Sequence, residues 1–189
     1  MNDQNHHSLP DRILVEKVLA GDAKTFGIII KNTEVLVAQI IYKMIAGKED
    51  RKDLAQEVYL KAYANLSRFR FDAKLSTWIA RIAYNTSLNH LQKKQLLLMD
   101  EIDLSDKMVV NISISEIDLK ERSAMINAAI EKLPAVSRTL ITLFHQEEIS
   151  YAEIQQITQL PEGTIKSYLF RARKALKEYI LQQYKKEEV

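Results

Sequence analysis

Cysteine is absent from this chain of 189 residues, and only four glycines and three prolines occur in it. Without thiols the chain forms no disulfide, no thiol redox switch and no thiolate metal site. Because glycine and proline are the commonest helix breakers, their scarcity favours an almost entirely helical protein. No run reaches the roughly 20 uncharged apolar residues that a membrane-spanning helix needs, and the polar N-terminus has no signal-peptide core. These absences predict a helical, cytoplasmic protein.

Charge is nearly balanced overall, with 27 basic and 25 acidic residues, but it is segregated along the chain. Residues 61–94 contain seven basic residues and one acidic residue, whereas residues 99–118 contain six acidic residues and one basic residue. Residues 150–186 are basic again, with seven Lys or Arg against three Glu. Two basic blocks separated by an acidic one indicate two contacts with a polyanion. Binding through phosphates of this kind would weaken with salt.

Hydrophobic periodicity divides the chain into an all-α protein with two small helical domains. After a disordered leader, residues 1–10, the first domain spans 11–95, with helices expected over about 11–20, 22–45, 51–66 and 77–94. Periodicity then fades, and residues 96–118 are expected to form a flexible acidic linker. The second domain, residues 119–184, is expected to hold four helices, the first two over 119–133 and 134–147.

The last two helices of the second domain fit a helix-turn-helix that reads DNA. Ser150 and Glu153 fit a capping box at the start of the first helix, and Pro161 is expected to end that helix and to suit the start of the next. From Glu162 onward the apolar residues recur at helical spacing, while the opposite face is basic. A basic helix of this kind fits the major groove. The alternative is an ordinary helical hairpin with a solvated basic face.

An acidic and amide stripe lies on the third predicted helix of the first domain. Asp53, Gln56 and Glu57 share one face because side chains three and four residues apart are neighbours on a helix, while Leu54, Val58 and Leu60 are expected to point inward. Carboxylates beside a basic surface suit a protein partner with Arg or Lys better than they suit nucleic acid. A solvated helix face is the alternative.

Two further patterns suit nucleic acid. Residues 68–78 interleave basic and aromatic side chains in a loop, and such rings can stack on unpaired bases; burial of Phe69, Phe71 and Trp78 as core is the alternative. On the following helix Arg81, Asn85 and Asn89 form a single stripe, with Ile82, Leu88 and Leu91 expected on the opposite side. Arg and Asn are residue types that hydrogen-bond base edges in the major groove.

Four segments together resemble the bacterial sigma factors of the extracytoplasmic-function group, in the sigma-70 family. They are DLAQEVYLKAYANLSRFR, LSTWIARIAYNTSLNHL, AIEKLPAVSRTLITLFHQEEISYAEI and LPEGTIKSYLFRARKAL. The resemblance covers about residues 11–94 and 119–182. It implies that the first domain is sigma region 2, a promoter-melting domain, and that the second is sigma region 4.

The resemblance also implies a role for each pattern. Asp53, Gln56 and Glu57 would dock on the clamp helices of the largest subunit of core RNA polymerase. The −10 promoter element would be melted and read by Arg68, Arg70, Phe71, Lys74, Ser76, Thr77, Arg81, Asn85 and Asn89. The −35 element would be read by Thr164, Lys166, Ser167, Phe170, Arg171, Arg173 and Lys174. The linker would thread toward the active-site and RNA-exit channels of the polymerase, and an anti-sigma factor is expected as a further partner.

Two other functions compete with this interpretation. A stand-alone transcription regulator would use the helix-turn-helix but would leave the basic aromatic loop and the Arg81, Asn85 and Asn89 stripe without a role. An enzyme acting on nucleic acid has little support, because the sequence shows no glycine-rich phosphate loop and no cluster with metal-ligand spacing. The sequence therefore predicts no catalytic residue, no metal, no cofactor and no small-molecule substrate.

Overall fold

The computed structural model describes residues 10–99 and 119–187, and this part of the chain contains eight α-helices. They are α1 (Asp11–Leu19), α2 (Ala23–Met44), α3 (Lys48–Ala64), α4 (Leu75–Met99), α5 (Leu119–Glu131), α6 (Ala135–His145), α7 (Tyr151–Thr158) and α8 (Glu162–Glu187). The all-α expectation is therefore confirmed. The predicted leader and most of the predicted linker lie outside the described residues.

Helices α3 and α4 have boundaries that differ from the sequence-based expectation. Helix α3 begins at Lys48 within a predicted turn, because extended Gly47 precedes it and Glu49 and Asp50 place negative charge in its first turn. Helix α4 begins two residues earlier than predicted and continues to Met99, inside the predicted linker. The carboxylate of Asp11 accepts the N–H of Leu75 at 2.7 Å, so that a residue of α1 caps α4.

Helices α1 to α4 form an N-terminal unit around a buried apolar core. Ile29 of α2, Val58 of α3 and Ile79 of α4 are fully buried there. Helix α2 has the length and composition of a membrane-spanning helix, but its apolar face, including Val37 and Ile40, packs in this core. Burial against α3 and α4 accounts for its hydrophobicity.

Helices α5 to α8 form a C-terminal unit, in which Leu140, Ile154, Ile165 and Leu169 are fully buried and continue the apolar core of the N-terminal unit. Helix α7 ends at Thr158 because Gln159 adopts a left-handed conformation with φ 60°. The proline predicted to end this helix lies beyond that residue and precedes α8.

The two units pack against each other, α4 on α7 and α2 on α6. This docked geometry is called the closed arrangement below. At one edge, Nζ of Lys43 lies 2.7 Å from Oε1 of Glu131 on α5. The second oxygen of Glu131 accepts from Arg138 at 2.6 Å. The side chain of Lys43 is only 8% exposed and that of Glu131 is 38% exposed, so the two units meet at an ion pair whose cation is buried.

Candidate nucleic-acid interface

The acidic and amide stripe is solvent-exposed on α3. Asp53, Gln56 and Glu57 are all exposed, while Leu54 and Val58 on the other side of the helix are buried. The expectation that Leu60 points inward was wrong, because its side chain is 70% exposed. Helical periodicity explains this, since residues 53, 57 and 60 fall on one face. The stripe is thus an acidic surface with an apolar end, available to a partner.

The basic aromatic loop places its three rings at different depths. Phe69 is buried and its ring contacts both Phe71, at 4.7 Å between centroids, and Trp78, at 5.4 Å. Phe71 is 41% exposed and has φ 61°, an uncommon conformation for an aromatic residue. The guanidinium of Arg12 lies over its ring at 5.5 Å. Phe69 therefore belongs to the core, and Phe71 is the ring that presents a surface.

A cleft of about 760 Å³ lies between the two units, and six of the nine residues assigned to the −10 element line it. These six are Arg68, Arg70, Thr77, Arg81, Asn85 and Asn89. Gln156 of α7 and Gln159, which follows it, line the same cleft from the C-terminal unit. Thr77 is buried, with only 5% of its surface exposed. The structure thus gathers the loop and the α4 stripe around one open cleft.

The opposite side of α4 differs from the expected one. Ile82, Leu88 and Leu91 are only partly buried, and Ile82 lines the cleft together with the polar stripe. The deeply buried side of this helix is formed by Ala80, Ala83, Tyr84 and Ser87. Three of these residues, Ala80, Ala83 and Ser87, are small and let α4 pack closely against its neighbours, which the apolar periodicity alone did not indicate.

Lys74, also assigned to the −10 element, is engaged by the C-terminal unit. Its Nζ lies 2.7 Å from Oε1 of Glu153 on α7. This contact raises the pKa of Lys74 and lowers that of Glu153. Ser76, the remaining polar residue of the loop's end, is partly buried. A cation predicted to meet a phosphate is here paired with a carboxylate of the same chain.

The helix-turn-helix has the expected cap. The hydroxyl of Ser150 accepts the N–H of Glu153 at 3.3 Å. The Glu153 carboxylate reaches back to Ser150, and its Oε2 accepts from the Ser150 hydroxyl at 3.0 Å. The other carboxylate oxygen of Glu153 binds Lys74. Glu153 therefore belongs to the cap of α7 and also links the two units.

Most of the basic face of α8 is open to solvent. Its exposed members are Lys166, Ser167, Phe170, Arg171, Arg173 and Lys174, and Thr164 is partly buried. Phe170 is 68% exposed, which is unusual for an aromatic residue without a partner. The face combines cations with one apolar side chain, a composition that suits a DNA groove.

Arg173 differs from its neighbours because it is tied to α6. Its Nε donates to Nε2 of His145 at 3.2 Å, and its guanidinium lies 5.5 Å from the ring centre of Phe144. Burial, with the charge of Arg173, lowers the pKa of His145. A neutral imidazole can accept this hydrogen bond, so Arg173 has a packing role within the C-terminal unit.

Two family comparisons cover most of the described chain. The profile of Sigma-70 region 2 matches residues 29–96, and that of Sigma-70 region 4 matches residues 123–176. The chain is 32% identical over 176 residues to the RNA polymerase sigma-H factor of Pseudomonas aeruginosa, covering 88% of this chain and 91% of that protein. It is 33% identical over 182 residues to the ECF RNA polymerase sigma-E factor of Escherichia coli, covering 89% and 93%. The chain belongs to the extracytoplasmic-function group of the sigma-70 family. Sigma factors of this group bind core RNA polymerase and direct transcription from specific promoters.

Solved structures share the fold of this sigma factor. The sigma factor RpoE in its complex with the anti-sigma factor NepR, from Bartonella quintana, aligns with a TM-score of 0.65 and 22% identity, over 84% of this chain and 98% of that one. CnrH in complex with the cytosolic domain of CnrY aligns with a TM-score of 0.64 and 21% identity, over 90% and 96%. At these identities the likeness establishes the all-helical fold.

Sequence reasoning about the sigma factor missed the contacts between its units. Lys74 and Glu153 are 79 residues apart, and Gln156 and Gln159 have no sequence feature that places them opposite α4. Such a pairing depends on how the units dock, which no local periodicity encodes. Among residues 10–99 and 119–187, no group of three His, Asp or Glu side chains could hold a metal ion.

Proposed function

We propose that this sigma factor divides promoter recognition between its two units, while α3 attaches it to core polymerase. The observation that carries this proposal is the cleft, around which the basic aromatic loop and the α4 stripe meet. Each of the two DNA-binding units alone would bind its short promoter element weakly. Because both are tethered to one enzyme, binding of one raises the effective concentration of the other, and promoters with the correct spacing are selected.

The α3 stripe is the proposed polymerase-binding surface. Its three polar residues, Asp53, Gln56 and Glu57, are exposed. Glu57 forms an exposed ion pair with Lys61 at 2.6 Å. An exposed pair of this kind adds little stability, so a basic helix of the polymerase clamp can compete for the carboxylate at small cost. Leu60 adds an apolar contact at the end of the stripe.

The N-terminal unit is proposed to melt and read the −10 element. Arg81, Asn85 and Asn89 would read base edges of its upstream, double-stranded part. Downstream, the loop carrying Arg68, Arg70, Phe71, Lys74, Ser76 and Thr77 would capture an extruded base. Extrusion costs unstacking energy, which stacking on an exposed ring such as Phe71 partly offsets. The exposed ring and the adjacent cations support this assignment.

The C-terminal unit is proposed to read the −35 element with the exposed face of α8. Phe170 and Arg171 are both exposed on that face. The exposed cations provide phosphate contacts, which position the helix, and the remaining polar side chains reach base edges. Arg173 would contribute chiefly by fixing α8 against α6 through His145.

We further propose that the sigma factor acts in the cytoplasm, where polymerase and promoters are, and that it makes no bond itself. Its contribution would be binding energy, with the chemistry performed by core polymerase. RpoE of Bartonella quintana was solved with an anti-sigma factor, and we propose that a protein of that kind also regulates this chain.

The test is titration of the full chain against bacterial core RNA polymerase, followed by run-off transcription on a genomic fragment pool. Tight binding with new, discrete start sites is the expected result, and the start sites would define the promoter. Failure to bind core polymerase, together with sequence-specific binding to duplex DNA alone, would favour a stand-alone regulator instead.

A further inference from the structure

Tyr168 lies where the buried face of α8 meets its exposed face. Leu169 beside it is fully buried, whereas Arg171 is exposed and Tyr168 itself is half-buried. The side chain of Tyr168 packs against the apolar core. Because side chains three residues apart are neighbours on a helix, Tyr168 and Arg171 share one flank of α8. A ring anchored in the core thus stands beside a cation of the proposed −35 face.

Two contacts hold the Arg171 side chain against its own helix. Its guanidinium carbon lies 4.9 Å from the centre of the Tyr168 ring, a distance at which the negative face of a ring attracts a cation. Its Nε donates to the backbone oxygen of Ser167 at 3.3 Å. A free arginine side chain has many rotamers and loses most of this freedom when it binds. The ring and the carbonyl restrict the guanidinium before DNA arrives.

The donors that a base needs remain available on Arg171. Its Nε is engaged by a backbone oxygen, but no carboxylate among the described side chains pairs with its guanidinium. The neighbouring cations differ, because Lys166 pairs with Glu162 at 2.6 Å. Lys174 likewise lies 3.9 Å from Glu178. The terminal nitrogens of Arg171 can therefore form the bidentate contact with O6 and N7 of guanine, which is the commonest specific contact in the major groove.

We propose that Tyr168 is a positioning residue, whose ring orients Arg171 toward a guanine of the −35 element. The inference rests on the proposed function of α8. Tyr168 acts through the guanidinium and makes no base contact of its own. An arginine that swings freely still meets phosphates, but it discriminates less between bases, because a bidentate contact needs both nitrogens in place. The ring therefore contributes more to sequence specificity than to affinity.

The test compares Tyr168→Leu with Tyr168→Phe in the full chain. Leucine keeps an apolar side chain against the core but removes the ring, whereas phenylalanine keeps the ring and removes only the hydroxyl. The probe is a promoter from the fragment pool, randomised across its −35 element, with a barcode for each sequence in the transcribed region. Transcription by core polymerase with each variant, followed by counting of the barcodes, measures the preference for guanine at every −35 position.

The ring, and not the hydroxyl, is expected to determine this preference. Tyr168→Leu should lower the preference for guanine at one −35 position by about two- to fivefold, as expected for a cation held over a ring at an exposed site. Tyr168→Phe should keep the natural preference. The matched control is Tyr179→Leu, which removes another half-buried ring of α8, one that lies 4.1 Å from Nζ of Lys132 and outside the proposed −35 face. This control should also keep the natural preference.

A double-mutant cycle shows whether Tyr168 acts through Arg171. In a chain that carries Arg171→Ala, Tyr168→Leu is expected to change base preference no further, because no guanidinium remains to be oriented. A further loss there would overturn the inference, and so would an unchanged preference in Tyr168→Leu or an equal loss in Tyr168→Phe. Equal weakening on all −35 sequences would show that the ring supports only the fold. A natural profile in Arg171→Ala alone would instead reject the proposed function of that arginine.

Fluorination decides the matter if Tyr168→Leu is unstable. Tyr168→Phe variants whose rings carry increasing numbers of fluorine atoms nearly keep their shape while the negative charge of the ring face declines. The preference for guanine is expected to fall stepwise with the number of fluorine atoms, and thermal unfolding shows that stability is retained. A preference that does not depend on fluorination would overturn the inference.

Discussion

Nζ of Lys74 and Oε1 of Glu153 lie 2.7 Å apart and join the basic aromatic loop to the capping residue of α7. One carboxylate thus serves two purposes, because its other oxygen meets the hydroxyl of Ser150. The loop proposed to capture a base and the helix-turn-helix are connected through a single side chain.

Removing the carboxylates of the α3 stripe should weaken polymerase binding. Asp53→Ala with Glu57→Ala is expected to lower the affinity for core polymerase by about tenfold, or about 1.4 kcal/mol, with an unchanged melting temperature because both side chains are exposed. A binding titration with thermal unfolding checks this. The matched control is Glu16→Ala with Glu34→Ala, which removes two exposed carboxylates from α1 and α2. Equal affinity of both double variants would remove the role of the stripe.

The α4 stripe should determine sequence preference at the upstream edge of the −10 element. Asn85→Ala and Asn89→Ala are each expected to cost about 1–3 kcal/mol of discrimination against wrong bases. Run-off transcription on a library randomised at these promoter positions measures the loss. Asn32→Ala, an exposed asparagine on α2, provides the control. A preference profile identical to that of the natural protein would reject the assignment.

Two arginines of α8 should behave differently. Arg171→Ala is expected to reduce initiation from promoters that need a −35 element and to lower the salt dependence of binding by about one unit of slope, without loss of stability. Arg173→Ala should in addition lower the melting temperature, because it removes the contacts with His145 and Phe144. Transcription at several salt concentrations and thermal unfolding distinguish the two. Identical behaviour of both variants would contradict the packing role of Arg173.

The closed arrangement should weaken in acid. Burial acts to raise the pKa of Glu131, but the hydrogen bonds and charges of Lys43 and Arg138 outweigh it, so this pKa lies below the ordinary 4.5. The bond with Lys74 lowers the pKa of Glu153 likewise. A carboxylate whose pKa is lowered by folding stabilises the folded protein fully at a pH above its ordinary pKa. This stabilisation is lost as the pH falls through the pKa that the group has in the folded protein.

Opening is therefore expected only below pH 4.5, and Trp78 fluorescence measures it. The variant with both Glu131→Gln and Glu153→Gln lacks the two carboxylates. Its Trp78 fluorescence should therefore change less with pH below 4.5. A natural protein whose emission is constant down to its unfolding pH would show that these ion pairs do not control closure.

The end of α7 should tolerate glycine well. Gln159 holds φ 60°, and a left-handed conformation costs a residue with a side chain roughly 1–2 kcal/mol. Gln159→Gly is expected to raise the free energy of unfolding, although by less than this amount because the bond from its amide to the Gln156 carbonyl is lost. Chemical denaturation measures whether the free energy of unfolding rises or falls. A destabilised variant would show that the amide contact outweighs the backbone strain.

Local chemistry made much of this structure predictable. The Ser150 cap, the exposed stripe on α3 and the buried apolar face of α8 follow from spacing and residue type. The burial of Phe69 beside the exposure of Phe71 did not follow, because both are aromatic residues in one loop and only the packed fold distinguishes them. The placing of Gln156 and Gln159 in the same cleft as Asn85 and Asn89 could not be predicted either, since it depends on contact between distant segments.

Glu131 binds a cation of the other unit, Lys43, and a cation of its own, Arg138. It touches neither proposed reading surface nor the α3 stripe. A single-codon change there would alter how firmly the units hold together without altering which bases are recognised. The strength of the contact between the units and the choice of promoter bases can therefore evolve independently in this protein.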